Sequence, residues 1–320
     1  MIRYRPFRNS DPPALAEIWQ SHPPARGLAP YVSPALLEQH VFSKPYFDRR
    51  GLLIAVENDR PIGFVHGGFG PSADGGDLDY STGVVCLLMV APRDDRQQVA
   101  QGLLEQCEEY LLHRGAQLLY GGGATPLAPF YLGLYGGSEL PGTLASDTST
   151  LELFLAQGYQ EVDRRLVLHR ELAGFRPAVS RQQMQVRRSY KVETLLDPPH
   201  ADWWEACTLG HAERTRFVLT SRRDDEALGG VTFWNMEPLS TGWGVHASGL
   251  VNFEIAADLR RQGLGTFLIG EALRQLSAQG VALVETQVAH DNAAALCFFQ
   301  NTGFKQVDAG LVLRKDVSPA

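Results

Sequence analysis

Apolar and polar positions follow the same succession twice along the chain. In the first half, residues 2–7 alternate and predict a strand. Residues 52–56 and 62–66 flank a short polar turn and predict a hairpin. Residues 84–90 are continuously apolar, which is typical of a buried central strand. Residues 97–113 then carry a helical pattern that ends at a glycine. Together these patterns predict a mixed α/β unit.

The second half repeats this order. The predicted elements are a strand at 186–196, a helix at 202–210, a strand at 231–234 after a turn at Gly229-Gly230, a central strand at 250–256, a helix at 266–279, a strand at 281–288, a helix at 292–301 and a strand at 306–313. The repeat predicts two tandem α/β domains, residues 1–172 and 184–320, joined by a linker at 173–183. We call these the first half and the second half.

Composition and charge narrow the function classes. The 320 residues are 44% apolar and 20% charged, as in globular proteins, and the net charge is −7. Without a basic surplus we expect no nucleic-acid partner. No run of 18 apolar residues predicts a membrane span, and the four cysteines lie too far apart to predict a disulfide framework or a metal site. We expect a cytoplasmic monomer or homodimer.

One loop of the second half carries a candidate anion site. Gly263 and Gly265 lie between the central strand and the next helix, where bent backbone and the first turn of a helix can direct several N–H groups at one anion. The spacing suits a diphosphate. It does not match a P-loop, and Leu268 stands where a dinucleotide fingerprint needs its third glycine. An ordinary strand-to-helix turn is the other interpretation.

Two motifs in this half resemble those of the GNAT superfamily of N-acetyltransferases. They read Arg260-x-x-Gly263-x-Gly265 and Val288-x-x-x-Asn292-x-x-Ala295-x-x-Phe298-Phe299-x-x-x-Gly303-Phe304. The resemblance implies an acyl-CoA N-acyltransferase fold in both halves, with acetyl-CoA as the cofactor.

The resemblance also implies roles for individual residues. Phe253–Ile255 would pair with the pantetheine arm like an added strand, Asn292 would hydrogen-bond near its end, and Phe299 would lie beside the thioester. The diphosphate would lie against Arg260, Arg261, Gln262, Gly263, Leu264, Gly265 and Thr266.

The first half resembles the family more faintly. Asp95 stands where the second half has Arg260, and Gln98 and Ala100 replace the two glycines. We therefore expect this half to keep the fold and to have lost strong coenzyme A binding. The tandem layout is similar to that of the mycothiol synthase family, in which the C-terminal half catalyses.

The catalytic groups are not those typical of the family. Gln287 and Phe299 stand where the family often has a glutamate base and a tyrosine acid, and neither can exchange a proton. Strand alternation puts Val251, Phe253 and Ile255 on one face and leaves Glu254 on the other, which makes Glu254 the first candidate base. Glu285, ~6.6 Å from Gln287 along its strand, is the second. Either carboxylate could instead be structural.

These observations predict an enzyme that transfers an acetyl group from acetyl-CoA to a primary amine of a small molecule or peptide, in the second half. The alternatives are an acyl-CoA-binding protein without catalysis and a structural tandem protein. Residues 131–139 could reach into the cleft of the second half, but we expect a plain loop there.

Overall fold

A 13-stranded mixed sheet runs through residues 1–317, the part of the chain that the computed structural model describes. The strands are β1 (Ile2–Pro6), β2 (Leu52–Glu57), β3 (Arg60–Pro71), β4 (Leu78–Val90), β5 (Leu118–Gly121), β6 (Thr143–Leu144), β7 (Gln160–Glu171), β8 (Tyr190–Leu196), β9 (Arg214–Ser221), β10 (Ala227–Asn235), β11 (Ala247–Ile255), β12 (Leu283–Ala289) and β13 (Lys305–Asp316). The helices are α1 (Pro12–Gln20), α2 (Pro34–Leu37), α3 (Arg96–His113), α4 (Thr148–Ala156), α5 (Arg181–Ser189), α6 (Trp203–Leu209), α7 (Glu237–Trp243), α8 (Leu264–Ala278) and α9 (Ala293–Asn301). This is the predicted mixed α/β class.

The two halves exchange strands at the centre of the sheet. The order is β1-β2-β3-β4-β5-β13-β7-β12-β11-β10-β9-β8, with β6 paired to β13. The last strand of the second half thus lies between two strands of the first half, and β7 of the first half lies between β13 and β12 of the second. The predicted boundaries separate the two halves along the sequence, but in the folded chain each half adds a strand to the sheet of the other.

Each half covers one face of its sheet with a long helix. Helix α3 buries Val99, Leu103, Cys107 and Leu111, which recur at the four-residue spacing of one helix face. Helix α8 buries a corresponding row against the second half. A third apolar cluster contains side chains of both halves, including Trp19, Tyr131, Trp234 and Val251. The two halves therefore share a core on the other face of the sheet.

Several predicted elements are confirmed. The hairpin of β2 and β3 turns at Asn58 and Asp59, both with positive φ, and α3, α8, β12 and α9 match their predicted ranges to within two residues. Strand β4 ends at Val90 as predicted but begins six residues earlier, at Leu78. Continuous apolar runs and helical spacing were sufficient to identify these elements.

Two local predictions are wrong. Residues 181–189 form α5, so the helix begins inside the predicted linker and the strand begins only at Tyr190. The Ser180 side chain caps this helix by accepting from the Gln183 N–H, and the helix contains good helix formers. Gly229 and Gly230 form no turn: they lie within β10, where a Cβ at Gly229 would lie 2.5 Å from a backbone oxygen of β11.

One face assignment on β11 is also wrong: Val251 does not share a face with Phe253 and Ile255, although Glu254 does lie opposite those two as predicted. The strand has an extra residue against β10 at Asn252, whose φ is 52°, and such a bulge breaks the alternation of faces. As a result Val251 packs in the core shared by the two halves, whereas Phe253 and Ile255 pack towards α8. Backbone geometry, and not the polarity of the side chains, decides this.

Candidate functional site

The second half contains a fork between two parallel strands. Strand β11 pairs with β12 only from Ala247 to Leu250, opposite Leu283 to Thr286. Beyond that point β12 stays paired with β7, and β11 stays paired with β10. Within residues 1–317, the edge of β11 that faces the fork is therefore without a strand partner from Val251 onward, and an extended ligand could pair there.

The loop that follows β11 has the backbone of an anion site. Arg261 and Gly263 both have positive φ, 62° and 83°, and Gly263 begins α8. The Arg260 Nε donates to the Ile255 oxygen at 3.0 Å and closes the loop onto the strand. The N–H groups of the first turn of α8 lack helical partners and lie at the positive end of the helix dipole. This turn can bind a diphosphate.

The predicted loop residues differ in what they offer. Gln262 is exposed and donates to the Asp258 oxygen, and Thr266 is half-buried. The side chains of Leu264 and Ile255 are buried in the core, so only their backbone groups could contact a ligand. The predicted binding roles stay predictions, but all of these residues do lie along one continuous turn.

Aromatic rings lie between the fork and this turn. Phe253 stacks on Phe298 with ring centres 5.0 Å apart, and a Cβ at Gly265 would lie 3.2–3.3 Å from both rings. Phe299 is only 4% exposed and packs deeper, against Phe304. Sequence reasoning missed Phe298, although two consecutive phenylalanines in the second motif offered the signal.

Asn292 begins α9 beside the fork. Its side-chain oxygen accepts from the Ala295 N–H at 3.0 Å, so it is the N-cap of the helix. That bond leaves the amide NH₂ for the predicted contact with a ligand.

Glu254 lies in an open cleft on the opposite face of the sheet from α8. The cleft is open to solvent and is lined by residues of β8, β9, β10, β11 and α6. Arg216 donates to Glu254 at 2.7 Å and to the Thr232 hydroxyl at 3.2 Å, and its guanidinium lies over Gly230. The Glu254 side chain is 65% exposed. Sequence reasoning found Glu254 but not its partner.

Glu285 lies in a closed environment. Its side chain is fully buried and accepts from the Ser138 N–H at 2.7 Å, from His169 at 2.6 Å and from Arg26 at 3.1 Å. All these partners come from the first half. A carboxylate with this many donors and no exposure is suited to holding the halves together, and this favours the structural interpretation over the predicted base.

Residues 131–139 are not a plain loop, and that expectation is wrong. The Trp234 Nε1 donates to the Ser138 oxygen at 3.1 Å, and the Gln287 Nε2 donates to the Glu139 oxygen at 2.7 Å. A Cβ at Gly249 would lie 2.9 Å from Ser138. The segment therefore crosses β10, β11 and β12 at the base of the fork. We call it the bridging segment.

Basic side chains lie at the contact between the halves. Lys44 donates to the oxygens of Cys207 and Thr208 at the end of α6, and burial lowers its pKa to about 8. The rings of His40 and His211 meet at 4.2 Å, and burial lowers their pKa values to about 4 and about 3. Both histidines are thus neutral near pH 7, which allows them to pack without an acidic partner.

Among residues 1–317 no helix has the length and apolar content to cross a membrane. Nor do His, Cys, Asp and Glu side chains of this range form a group of three that could hold a metal ion.

Comparisons with known proteins agree with this geometry. The chain is 35% identical over 57 residues to the ribosomal protein bS18-alanine N-acetyltransferase of Escherichia coli K12, a match that spans 18% of this chain and 38% of that relative. A tandem GNAT protein from the clavulanic acid biosynthesis pathway superposes with a TM-score of 0.68 at 16% identity, with both chains fully covered. A GCN5-related N-acetyltransferase from Sphaerobacter thermophilus gives 0.65 at 16% identity, covering 100% of this chain and 96% of that one. These two structures support the fold.

A family model decides the membership. The model of the acetyltransferase (GNAT) family matches residues 13–131 and again residues 181–304. Each match covers a fork and the helix that follows it, and together they span more than half of the chain. The chain belongs to the GNAT acetyltransferase family and carries two GNAT domains in tandem.

Proposed function

We propose that the chain is an acetyl-CoA-dependent N-acetyltransferase that acts on a primary amine of a small molecule or peptide, and that the reaction takes place in the second half. The observation that carries this proposal is the conjunction of an open fork with the glycine turn at the start of α8. Bound acetyl-CoA supplies the acetyl group as a thioester.

The residues present fit this cofactor. The turn from Arg260 to Thr266 offers backbone N–H groups and two arginines to a diphosphate, and Gly263 takes the positive φ of 83° on which the turn depends. The Gln183 side chain of α5 lies against this turn and donates to the Gly263 oxygen at 3.1 Å. The free edge of β11 offers hydrogen bonds to an extended amide chain, in the manner of an added strand. Asn292 lies at the start of the helix beside it.

The cleft with Arg216 and Glu254 supports an amine acceptor. It opens on the face of the sheet away from α8, so a second substrate would approach the fork from the side opposite the glycine turn. Its charged groups include both signs, and the exposed Glu254 can pair with an ammonium group. The short match to an alanine N-acetyltransferase supports an amine acceptor, with a peptide N-terminus as one class.

The second candidate function is acyl-CoA binding without catalysis. Gln287 and Phe299 favour it, because neither side chain can accept or donate a proton.

One experiment separates the two functions. The chain is titrated with acetyl-CoA by calorimetry, and free-thiol release is then followed across a panel of amino acids, amino sugars, polyamines and peptide N-termini. Binding together with amine-dependent thiol release supports the acetyltransferase. Binding without release on any amine supports the second candidate, and absence of binding contradicts both.

A further inference from the structure

We propose that Glu139, a residue of the first half, is the general base for the transfer in the second half. This inference rests on the proposed function and adds to it a residue that the tandem arrangement itself delivers to the site.

Glu139 lies next to the point where two strands of the second half separate. Strands β11 and β12 separate after Thr286, so Gln287 is the first residue of β12 beyond the paired stretch. Its Nε2 donates to the backbone oxygen of Glu139, and this 2.7 Å contact joins residues 148 positions apart in the chain. The backbone of Glu139 is therefore held beside Gln287, at the opening of the fork.

The backbone around Glu139 is fixed in place by contacts with the second half. The neighbouring Ser138 donates its N–H to the buried Glu285 and accepts from the Trp234 indole. Gly137 lies so close to Glu285 that a Cβ there would overlap the carboxylate. Fixed backbone on three consecutive residues gives the carboxyl group the rigid support that catalysis needs.

The carboxyl group of Glu139 differs in its partners and its pKa from those of Glu254 and Glu285. Among residues 1–317, no hydrogen bond or ion pair engages its oxygens, whereas Glu254 is paired with Arg216 and Glu285 is saturated with donors. Burial raises the pKa of Glu139, and the charge of Arg165 on β7 opposes this only in part. A raised pKa makes a carboxylate a stronger base.

Other charged groups lie nearby on the elements around the bridging segment. Arg26 binds both Glu285 and Asp308 of β13, and His169 of β7 binds Glu285. Arg165 of β7 also faces Glu139, and it forms an ion pair of 3.1 Å with Asp163 on the same strand.

The proposed reaction transfers two protons and one acetyl group. An ammonium acceptor gives one proton to Glu139 and becomes a free amine. The amine nitrogen then forms a bond to the acetyl carbon, the carbon–sulfur bond breaks, and the sulfur leaves as a thiolate. The sulfur is a fair leaving group because its thiol has a pKa near 8.5. The thiolate then takes the second nitrogen proton. Glu139 finally releases its proton to water.

The test compares Glu139→Gln with wild type on the best amine of the panel. The amide keeps the backbone carbonyl that binds Gln287, so acetyl-CoA affinity should stay unchanged. We expect kcat to fall by about 10²–10⁴-fold, since that is the usual contribution of a general base. The acid limb of the kcat/KM profile should disappear. Glu254→Gln is the matched control: it should keep that limb and change mainly the KM for the amine.

Three results would overturn the assignment. An unchanged kcat and acid limb in Glu139→Gln would remove Glu139 as the base and leave the acetyltransferase intact. Loss of the limb in Glu254→Gln alone would give the role to Glu254. If the wild type binds acetyl-CoA but acetylates no amine, the proposed function fails and this inference fails with it. Difference infrared spectra between wild type and Glu139→Gln, recorded over pH, add a readout independent of turnover: they should show a carboxyl pKa above that of an exposed glutamate.

Discussion

The two halves contain the same fork with opposite chemistry. In the first half β4 pairs with β5 only from Thr82 to Val85, and then the strands separate as β11 and β12 do. The side chains that follow are Leu87, Leu88 and Met89, where the second half has Asn252, Phe253 and Glu254. Family membership thus specifies the opening between the strands, while the side chains at the opening decide what enters it.

The loops before the helices differ in the same way. Asp95 pairs with Arg93, so an acid and its partner lie where the second half presents Arg260. Within the fully described stretch 93–100, no residue has positive φ, whereas Arg261 and Gly263 both do. The first loop therefore lacks an equivalent of Arg260 and the backbone bend of an anion site, although Arg96 stands where the second half has Arg261. The loss of strong coenzyme A binding in this half stays a prediction.

The first half uses its fork and its loops differently. Its fork holds a groove lined by apolar residues such as Leu28, Leu87 and Leu144 together with polar ones that include Arg96 and Asp147. Its bridging segment lies against the fork of the second half. The first half therefore contributes contacts to the fork of the second half, independently of what its own fork binds.

The largest effect should come from the contact that joins the halves. Glu285→Gln removes a buried negative charge between Arg26 and His169, and we expect the free energy of unfolding to fall by about 3 kcal/mol, because breaking a buried ion pair leaves its partners unpaired. Urea denaturation measures this. Asp59→Asn breaks an exposed ion pair with Arg3 and should cost less than about 1 kcal/mol. Equal losses would show that Glu285 does not hold the bridging segment.

The glycine turn should give the next largest effect. Gly263→Glu adds a side chain where φ is 83° and a negative charge beside the diphosphate, so we expect acetyl-CoA to bind about 100-fold more weakly, or about 2.7 kcal/mol. Gly280→Glu is the control, since Gly280 follows the other end of α8 at φ 91° with open space around it. Calorimetry compares the two. Similar affinities for both variants would contradict the assignment of the turn.

A smaller effect should follow from the polar cleft. Arg216→Gln removes the partner of Glu254 and a donor to the acceptor, and we expect the KM for the amine to rise about tenfold with acetyl-CoA affinity unchanged. Arg223→Gln, an exposed arginine of the β9–β10 turn, is the control. Steady-state kinetics with both substrates varied would show it. If the variant instead changed the affinity for acetyl-CoA, Arg216 would belong to the cofactor site and not to the amine site.

The smallest effect should come from restoring one glycine to the first half. Gln98→Gly leaves Asp95 in place, and because Gln98 lies within α3 it does not bend the loop before that helix. The number of acetyl-CoA molecules bound per chain should therefore not change. Helix propensity predicts a stability loss of about 1 kcal/mol or less. Calorimetric stoichiometry tests this, and the appearance of a second binding site would mean that the first fork is nearly intact.

Much of the fold could be predicted from local patterns. Continuous apolar runs identified the central strands, and four-residue spacing identified α3 and α8. The glycine loop was found because backbone bends leave a trace in residue type. The bulge at Asn252 left no such trace, so Val251 was assigned to the wrong face of β11. Nor did local patterns show α5, whose amphipathic signal is a single buried Val186.

The sequence by itself determined the family, the two copies and the residues of the anion loop, because these follow from short-range spacing and composition. Only the tertiary structure decided that β7 and β13 change places and that the bridging segment lies across the second fork. Those contacts join residues more than a hundred positions apart, and their partners, such as Glu139 and Gln287, share no local pattern. Packing of the common core, rather than any motif, brings them together.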